Sequence, residues 1–392
     1  MSARDDLLVF AHIGDLHLAD PQAGNARDYR ALIAQLDEAD GLDFVFLPGD
    51  NADNGRPEQY ALVRAGLDGL RLPAHVITGD HDMESGSLDA FYAGLGVPRL
   101  PYAVTVSSTR CLFLDICGSG SGGPDFRLGS EQLSWLEREL AVAEAEGRDC
   151  ALFMHSYPAD LKAEGEGARV ADLVHRGPVR LGEMGHTHYN ELANDGRTIY
   201  AATRSTGQIE EGPVGYAIAA LDRGGVAWRF KELARPWPFV LITAPTDRRL
   251  GFHDLCRPPC HGADGRRGEG ASKDGLEDGT EIRAIVLGSA AITRCEYSLD
   301  GGPWQPMQAG DGDRRHRARL DGPPSASGAR RIAVRALDAE GGTDEDAVEP
   351  AGPHAPPPAS KGIGSDADAV GAWPEKGLIG TQLGPNRNGR QW

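Results

Sequence analysis

The sequence predicts an α/β domain followed by a small all-β sandwich, and three features point there. From Leu7 to about Lys231, apolar runs of strand length alternate with amphipathic helical patterns. From Pro238 to about Pro350 no helix-length periodicity occurs, only short strand-like runs. His and Asp residues concentrate directly after the N-terminal apolar runs, where the strands of an α/β sheet present their carboxyl ends to ligands.

The first domain, residues 1–236, opens with the run LLVFAHIGD at 7–15, the helical pattern ARDYRALIAQLDEA at 26–39 and the run DFVFLPGD at 43–50. The helical pattern PEQYALVRAGLDGL at 57–70 and the run AHVITGD at 74–80 continue a β-α-β-α-β rhythm. Strands that are apolar at nearly every position are covered on both faces, as parallel or mixed sheets require. His12 and His75 lie inside such runs and are expected to be packed or hydrogen-bonded. YAVTV at 102–106 and CLFLDI at 111–116 precede the helix SEQLSWLERELAVAEAE at 130–146, with Ser130 placed to cap it and Trp135 in its core face. CALFMHS at 150–156 is a further strand, and TIYAATRST at 198–206 and YAIAALDRGGVAWRF at 216–230 read as antiparallel strands with an Asp-Arg-Gly-Gly turn.

The second domain, residues 237–350, holds FVLITAP, EIRAIVLG, RCEYSLDGGPWQPM, RHRARL and RRIAVRALDAEGG, a pattern suited to an Ig-like sandwich. Asp300-Gly301-Gly302 is a hairpin signal. Residues 257–280 carry six glycines and one large aliphatic side chain, Leu276, and are expected to form a long mobile loop. Residues 351–392 read as a proline-rich linker and a tail in which Trp373 and Trp392 would serve as docking anchors.

Forty Lys and Arg against 58 Asp and Glu give a net charge of −18, which repels nucleic-acid backbones and anionic membranes. The expected partner is therefore a small molecule, with no polymeric nucleic acid and no membrane; a homo-oligomer is left open. MSARDDLLVF lacks a signal-like apolar stretch, and six irregularly spaced cysteines fit reduced thiols, so a cytoplasmic location is expected.

The chemistry-bearing groups are, in order, Asp15-Leu16-His17, Gly49-Asp50-Asn51, Gly79-Asp80-His81-Asp82, His155 and Gly185-His186-Thr187-His188. Singly, an Asp-x-His or Gly-Asp after a strand is usually a turn, and a lone His is usually a packed one. Together they bring carboxylates and imidazoles to one end of a sheet, a donor set suited to borderline divalent ions and to a pair of them ~3.5–4 Å apart. Other groups carry less. Cys256, Cys260 and His261 have no second ligand pair at zinc-finger spacing. The glycine run from Gly118 to Gly123 lacks the Lys-Ser/Thr of a P-loop and reads as a flexible loop near the pocket. Arg204 is either a phosphate contact at the rim or a solvated strand end.

This set resembles the calcineurin-like metallophosphoesterase superfamily, whose motifs run Asp-x-His, Gly-Asp, Gly-Asn-His-Asp/Glu, a lone His and Gly-His-x-His. The intervals of 33, 31, 74 and 31 residues between His17, Asp50, His81, His155 and His186 are most similar to its bacterial cyclic-nucleotide phosphodiesterase branch. The resemblance covers roughly residues 7–231. It implies a metallophosphoesterase-type β-sandwich flanked by helices, with two divalent transition-metal ions (Mn, Fe, Zn or Co). Asp15, His17 and His188 would hold the first ion, Asp80, His155 and His186 the second, and Asp50 would bridge. His81 would be the acid near the leaving group, steered by Asp82, for which a helix cap near residues 85–95 is the equal alternative. The sequence departs from the family at Asp80, where the usual residue is Asn.

The expected function is hydrolysis of a small phosphate ester by a hydroxide bridging two metals, with a phosphodiesterase favoured and a cyclic nucleotide among the candidate substrates. The alternatives are a phosphomonoesterase or phosphotriesterase on the same site and, less favoured, a binding module without catalysis, which a broken ligand set would mark.

Overall fold

The computed structural model describes residues 6–118, 126–209, 212–251, 281–310, 314–320, 331–350 and 370–372. The first apolar run becomes β1 (Leu7–His12), whose alternation sets the layering: Leu7, Val9 and Ala11 enter one core, Leu8 and Phe10 another. With β2 (Phe44–Leu47), β3 (Ala74–Val76), β10 (Gly215–Asp222) and β11 (Gly225–Glu232) it forms a five-stranded sheet in the order β11-β10-β1-β2-β3. β1, β2 and β3 run parallel, while β10 lies antiparallel to β1 and turns into β11 through Arg223 and Gly224, both left-handed as a two-residue I′ turn requires.

The opposing seven-stranded sheet comprises β4 (Tyr102–Val106), β5 (Thr109–Phe113), β6 (Asp149–Phe153), β7 (Val179–Met184), β8 (Glu191–Asn194), β9 (Ile199–Ala202) and β20 (Val370–Ala372). Its order is β20-β8-β9-β7-β6-β5-β4, with β5, β6, β7 and β9 parallel. Phe10, Phe44 and Phe46 meet Phe113 and Phe153 between the sheets, Phe46 and Phe153 at 4.7 Å between ring centroids. Outside the first sheet pack α1 (Gly24–Glu38), α2 (Pro57–Leu67) and α3 (Asp89–Leu95); outside the second pack α4 (Gly129–Ala145) and α5 (Glu166–Arg176). This is the expected sandwich flanked by helices.

Three local readings resolve here. Trp135 is half-buried against the α4 side of the core. Ser130 lies inside α4 and does not cap it; the Glu166 carboxylate of α5 instead accepts from the backbone N–H groups of Leu128 and Gly129, so the cap comes from tertiary structure. His75 stacks on Phe113 and its Nδ1 lies 3.0 Å from the Tyr102 hydroxyl. The loop 257–280, the Cys256, Cys260 and His261 group, residues 119–123 of the glycine run, and Trp373 and Trp392 lie outside the described residues. Cys111, Cys117, Cys150 and Cys295 are buried. No helix among the described residues is long and apolar enough to cross a membrane.

Beyond β11, two four-stranded sheets form an Ig-like sandwich. One contains β12 (Phe239–Ala244), β13 (Glu281–Leu287), β16 (Gln308–Ala309) and β17 (Arg315–Arg319); the other contains β14 (Ile292–Leu299), β15 (Gln305–Pro306), β18 (Ile332–Asp338) and β19 (Thr343–Val348). Asp300 and Gly301, both left-handed, reverse the chain after β14. β12 and β19 are edge strands of different sheets, joined by side chains: Asp344 accepts from the Val240 N–H and Asp346 from the Ile242 N–H, each at 2.8 Å. The sandwich is built onto the first domain. Arg229 of β11 reaches Asp344, and Arg283 and Thr243 both reach Asp222 of β10. Trp237, Phe239, Leu241, Ile285 and Leu287 share one core cluster with Leu7, Val9 and Ile218.

That shared core predicts the outcome of truncation. Burial of each large apolar side chain contributes about 1.5–3 kcal/mol, so a chain ending at Ala234 should retain measurable metal binding while its Tm falls by at least about 10 °C. A thermal melt of the two proteins decides this; an unchanged Tm would mean the seam contributes nothing to the first domain.

Candidate metal centre

The candidate residues converge because the strands that carry them end side by side. Asp15 and His17 follow β1, Asp50 follows β2, Asp80 and His81 follow β3, His155 follows β6, and His186 and His188 follow β7. Their loops are knitted together: the Asp50 carbonyl accepts from the N–H groups of Leu16 and His17, the Asp15 carbonyl from those of Thr206 and Gly207, and the Asp15 carboxylate from that of His186 at 2.7 Å. His17, Asp50, His186 and His188 have φ of 43°, 50°, 65° and 62°, a left-handed backbone that non-glycine residues adopt at a cost of about 1–3 kcal/mol each. The motif glycines make room. A Cβ at Gly79 would lie 2.1 Å from Asp50 Oδ1, and one at Gly185 would lie 2.2 Å from Asp15 Oδ1.

Two groups of donor atoms result. Asp15, His17, Asp50 and His188 offer ligand atoms all within 4.8 Å of one another, and so do Asp80, His155 and His186. In the first, His17 Nε2 lies 3.1 Å from His188 Nε2 and 3.7 Å from Asp50 Oδ2, and His188 Nε2 lies 3.4 Å from Asp15 Oδ2. In the second, Asp80 Oδ1 lies 3.2 Å from His155 Nε2 and 3.3 Å from His186 Nδ1. Bonds of about 2.0–2.2 Å to one ion put neighbouring donors about 3.0–3.5 Å apart, so both groups have the spacing of coordination edges. Asp50 Oδ2 also lies 3.5 Å from His155 Nε2, and this one oxygen therefore faces both groups. The donors themselves, three carboxylates and four imidazoles with few competing partners, are of the type that borderline divalent ions take. The residues fit a pair of metal ions.

Partners behind the donors fix their orientation. His155 Nδ1 donates to the Pro48 carbonyl at 2.7 Å, leaving Nε2 for the centre, and Gln208 lies 3.3 Å from His17 Nδ1. Phe126 packs edge-on against His155 and His186. His81 donates from Nδ1 to the Asp53 carbonyl at 2.6 Å, and its backbone N–H reaches Asp50 Oδ1.

Asp82 does neither job expected of it. Its buried carboxylate accepts from the backbone N–H groups of Gly79, Asn51 and Ala52 and from the Tyr60 hydroxyl, binding the loop after β2 to the loop after β3; the ring of His81 is held by Asp53. Arg204 is neither at the rim nor solvated: it is buried with its guanidinium 4.0 Å over the Phe230 ring. Asn51, Asp53, Phe126 and Gln208 have functional contacts that the sequence reading missed. Only Asn51 and Asp53 carried a signal, their adjacency to Asp50.

The protonation pattern follows from burial. Burial pushes His17 down to about 4 and His188 to about 3, so both imidazoles are neutral and ready to ligate. Burial, then the neighbouring Asp50 charge, pushes Asp15 up to about 7, whereas the surrounding imidazoles hold Asp50 at about 2 against its own burial. A proton on Asp15 must leave when a cation binds. His155, pulled down by burial but raised well above the usual imidazole range by Asp50, Asp80 and Asp15, must also give up a proton. Mn2+ affinity should therefore rise with pH through about 7 and go on rising above it, with proton release detected as a dependence of the calorimetric binding heat on buffer ionisation enthalpy. A pH-independent affinity between 6 and 8 would show that no such proton is displaced.

Residues 8–190 match the model of the calcineurin-like phosphoesterase family. The chain is 32% identical over 209 residues to a glycerophosphodiester phosphodiesterase, GpdQ, of Enterobacter lignolyticus, covering 46% of this chain and 71% of that protein. It is 27% identical over 244 residues to a probable cyclic nucleotide phosphodiesterase of Synechococcus, covering 57% of this chain and 90% of that one. Among solved structures, a dimetal phosphatase from Danio rerio aligns with 58% of this chain and 96% of its own, at 16% identity and a TM-score of 0.48. With two clusters of buried His and Asp donors, the chain belongs to the calcineurin-like phosphoesterase family of metal-dependent hydrolases.

Proposed function

We propose that the protein hydrolyses small phosphate diesters with two divalent transition-metal ions, one held by Asp15, His17 and His188, the other by Asp80, His155 and His186, and Asp50 shared. The observation that carries this reading is Asp50 Oδ2, placed 3.7 Å from His17 Nε2 and 3.5 Å from His155 Nε2, between the two groups. When bound, such a pair supplies an activated water and neutralises charge building on the phosphoryl oxygens. The chain's own part is to hold that geometry and to manage the leaving group's proton. His81 has a ligand-type nitrogen within 4.8 Å of the Asp50 and Asp80 carboxylates, and its side chain remains about one-quarter exposed. Burial opposes its charged form, but Asp50, the Asp53 carbonyl, Asp80 and Glu84 together raise its pKa above the usual value. With Nδ1 fixed by Asp53, Nε2 is the atom that protonates the departing oxygen.

The preference for diesters rests on Asp80. Three carboxylates around two divalent ions leave the centre less positive by one unit than the family's Asn would. Both curated relatives above are named for diester hydrolysis, which supports the same reading for this chain. A monoester is mostly a dianion near neutral pH, a diester a monoanion. The substrate is a small molecule, since a net charge of −18 disfavours a polyanion.

Chelation should abolish hydrolysis of an aryl phosphodiester and a divalent transition ion should restore it; full activity after exhaustive chelation would refute the reading. On a matched mono- and diester panel, Asp80→Asn should shift the kcat/KM ratio toward the monoester by about ten-fold. That lies well inside the ~4 kcal/mol that a unit charge at ~4 Å exerts at an effective dielectric of 20. An unchanged ratio at equal metal content would assign Asp80 another role.

His81→Ala should slow diesters with alkoxide leaving groups by about 10²-fold or more while sparing activated aryl esters, because only the former need a proton. Equal losses on both would make His81 a substrate-positioning group.

A further inference from the structure

The phenylalanine core between the two sheets contains a fully buried polar link. His12, the last residue of β1, and Glu183, the penultimate residue of β7, are fully buried, with His12 Nδ1 2.7 Å from Glu183 Oε2. On the same strand faces their neighbours are Leu8 and Phe10 on β1 and Leu181 on β7, and the His12 ring lies 4.9 Å from that of Phe46. A buried polar pair is no better for stability than apolar side chains of the same size, and often worse, so stability does not explain it. The hydrolytic chemistry does not use it either.

Its position along the strands is informative. Three residues beyond His12 the chain reaches Asp15, three residues beyond Glu183 it reaches His186, and Asp15 then accepts from the His186 N–H at 2.7 Å. The two strands thus meet twice, once across the core and once at the candidate metal centre. Burial lowers His12 to about 3 and raises Glu183 well above the usual carboxyl range, so the link is a hydrogen bond between neutral groups. It adds no charge to the centre above it. Apolar packing is non-directional, and cores repacked with apolar residues lose uniqueness before stability. A hydrogen bond fixes direction and distance together.

We infer that His12 and Glu183 are a positioning pair that locks β1 to β7 and thereby sets the separation between the Asp15/His17 ligands and the His186 ligand. This rests on the di-metal reading above, in which those residues hold different ions.

The test uses the full chain loaded with Mn2+ and read by electron paramagnetic resonance, in which two ions ~3.5–4 Å apart give a spin-coupled spectrum. The parent should show that spectrum. A double variant, His12→Phe with Glu183→Leu, should fold with a Tm at or above the parent's, yet lose the coupled signal and bind the second Mn2+ at least ten-fold more weakly. Glu183→Gln, whose amide can still hydrogen-bond to His12 Nδ1 in either direction, should recover the coupled signal and bind within about three-fold of the parent. A double variant with the parent's spectrum and affinity would overturn the inference alone. So would a Gln variant as uncoupled as the double variant, or a double variant that fails to fold, since the pair would then serve charge or folding and not spacing. A parent without a coupled spectrum would overturn the di-metal reading and this inference with it.

Discussion

Asp15, Asp50 and Asp80 are buried around one set of imidazoles, and among the described residues their ion partners are all histidines. Carboxylates this buried and this close must be neutralised by protons or by cations, because little water reaches them to do it. The protein divides the task. Asp50 is held ionised by the rings about it, while burial keeps a proton on Asp15 near neutral pH, so the centre carries a charge deficit that a cation fills. Most of what surrounds the site holds these groups in place despite that cost.

The restraint is visible in the backbone. Four donor residues take a left-handed conformation, and each is pinned from behind by backbone hydrogen bonds, packed strands or close-fitting glycines. Strain of this kind persists only where the surroundings over-determine it. Here they include a phenylalanine core between the sheets, and Asp82, which gathers N–H groups from two loops at once.

Most of the strands, the helices α1, α2 and α4 and the donor residues were legible in the sequence because each leaves a local trace, a run of apolar residues, a period of 3.6 or a Gly-Asp at a strand end, whereas α5, β7 and β8 were not read. Nor were the contacts that orient those donors. Asp53 holds His81 through its backbone carbonyl, which any residue type would supply, and Pro48 does the same for His155. Glu166 caps α4 from 37 residues away, so Ser130 looked like the cap while a tertiary contact took its place. Asp82 was read through its sequence neighbour His81 and in fact serves Asn51 and Ala52. Arg204 was misread for the same reason: its partner ring, Phe230, lies 26 residues on. Local pattern reports which groups are present, and only the fold decides which of them face one another.

The carboxylates that join β19 to β12 have a consequence beyond this chain. An edge strand ordinarily offers a row of free N–H groups to any extended segment that drifts past, which is how sheets recruit further chains and grow into fibres. On β12 the donors of Val240 and Ile242 are already taken by Asp344 and Asp346. An incoming strand would have to displace two carboxylates, both tied to Arg229, before it could bond to these N–H groups. The sandwich closes this edge with side chains, as a barrel would with backbone, and is thereby guarded against self-templated aggregation on that side.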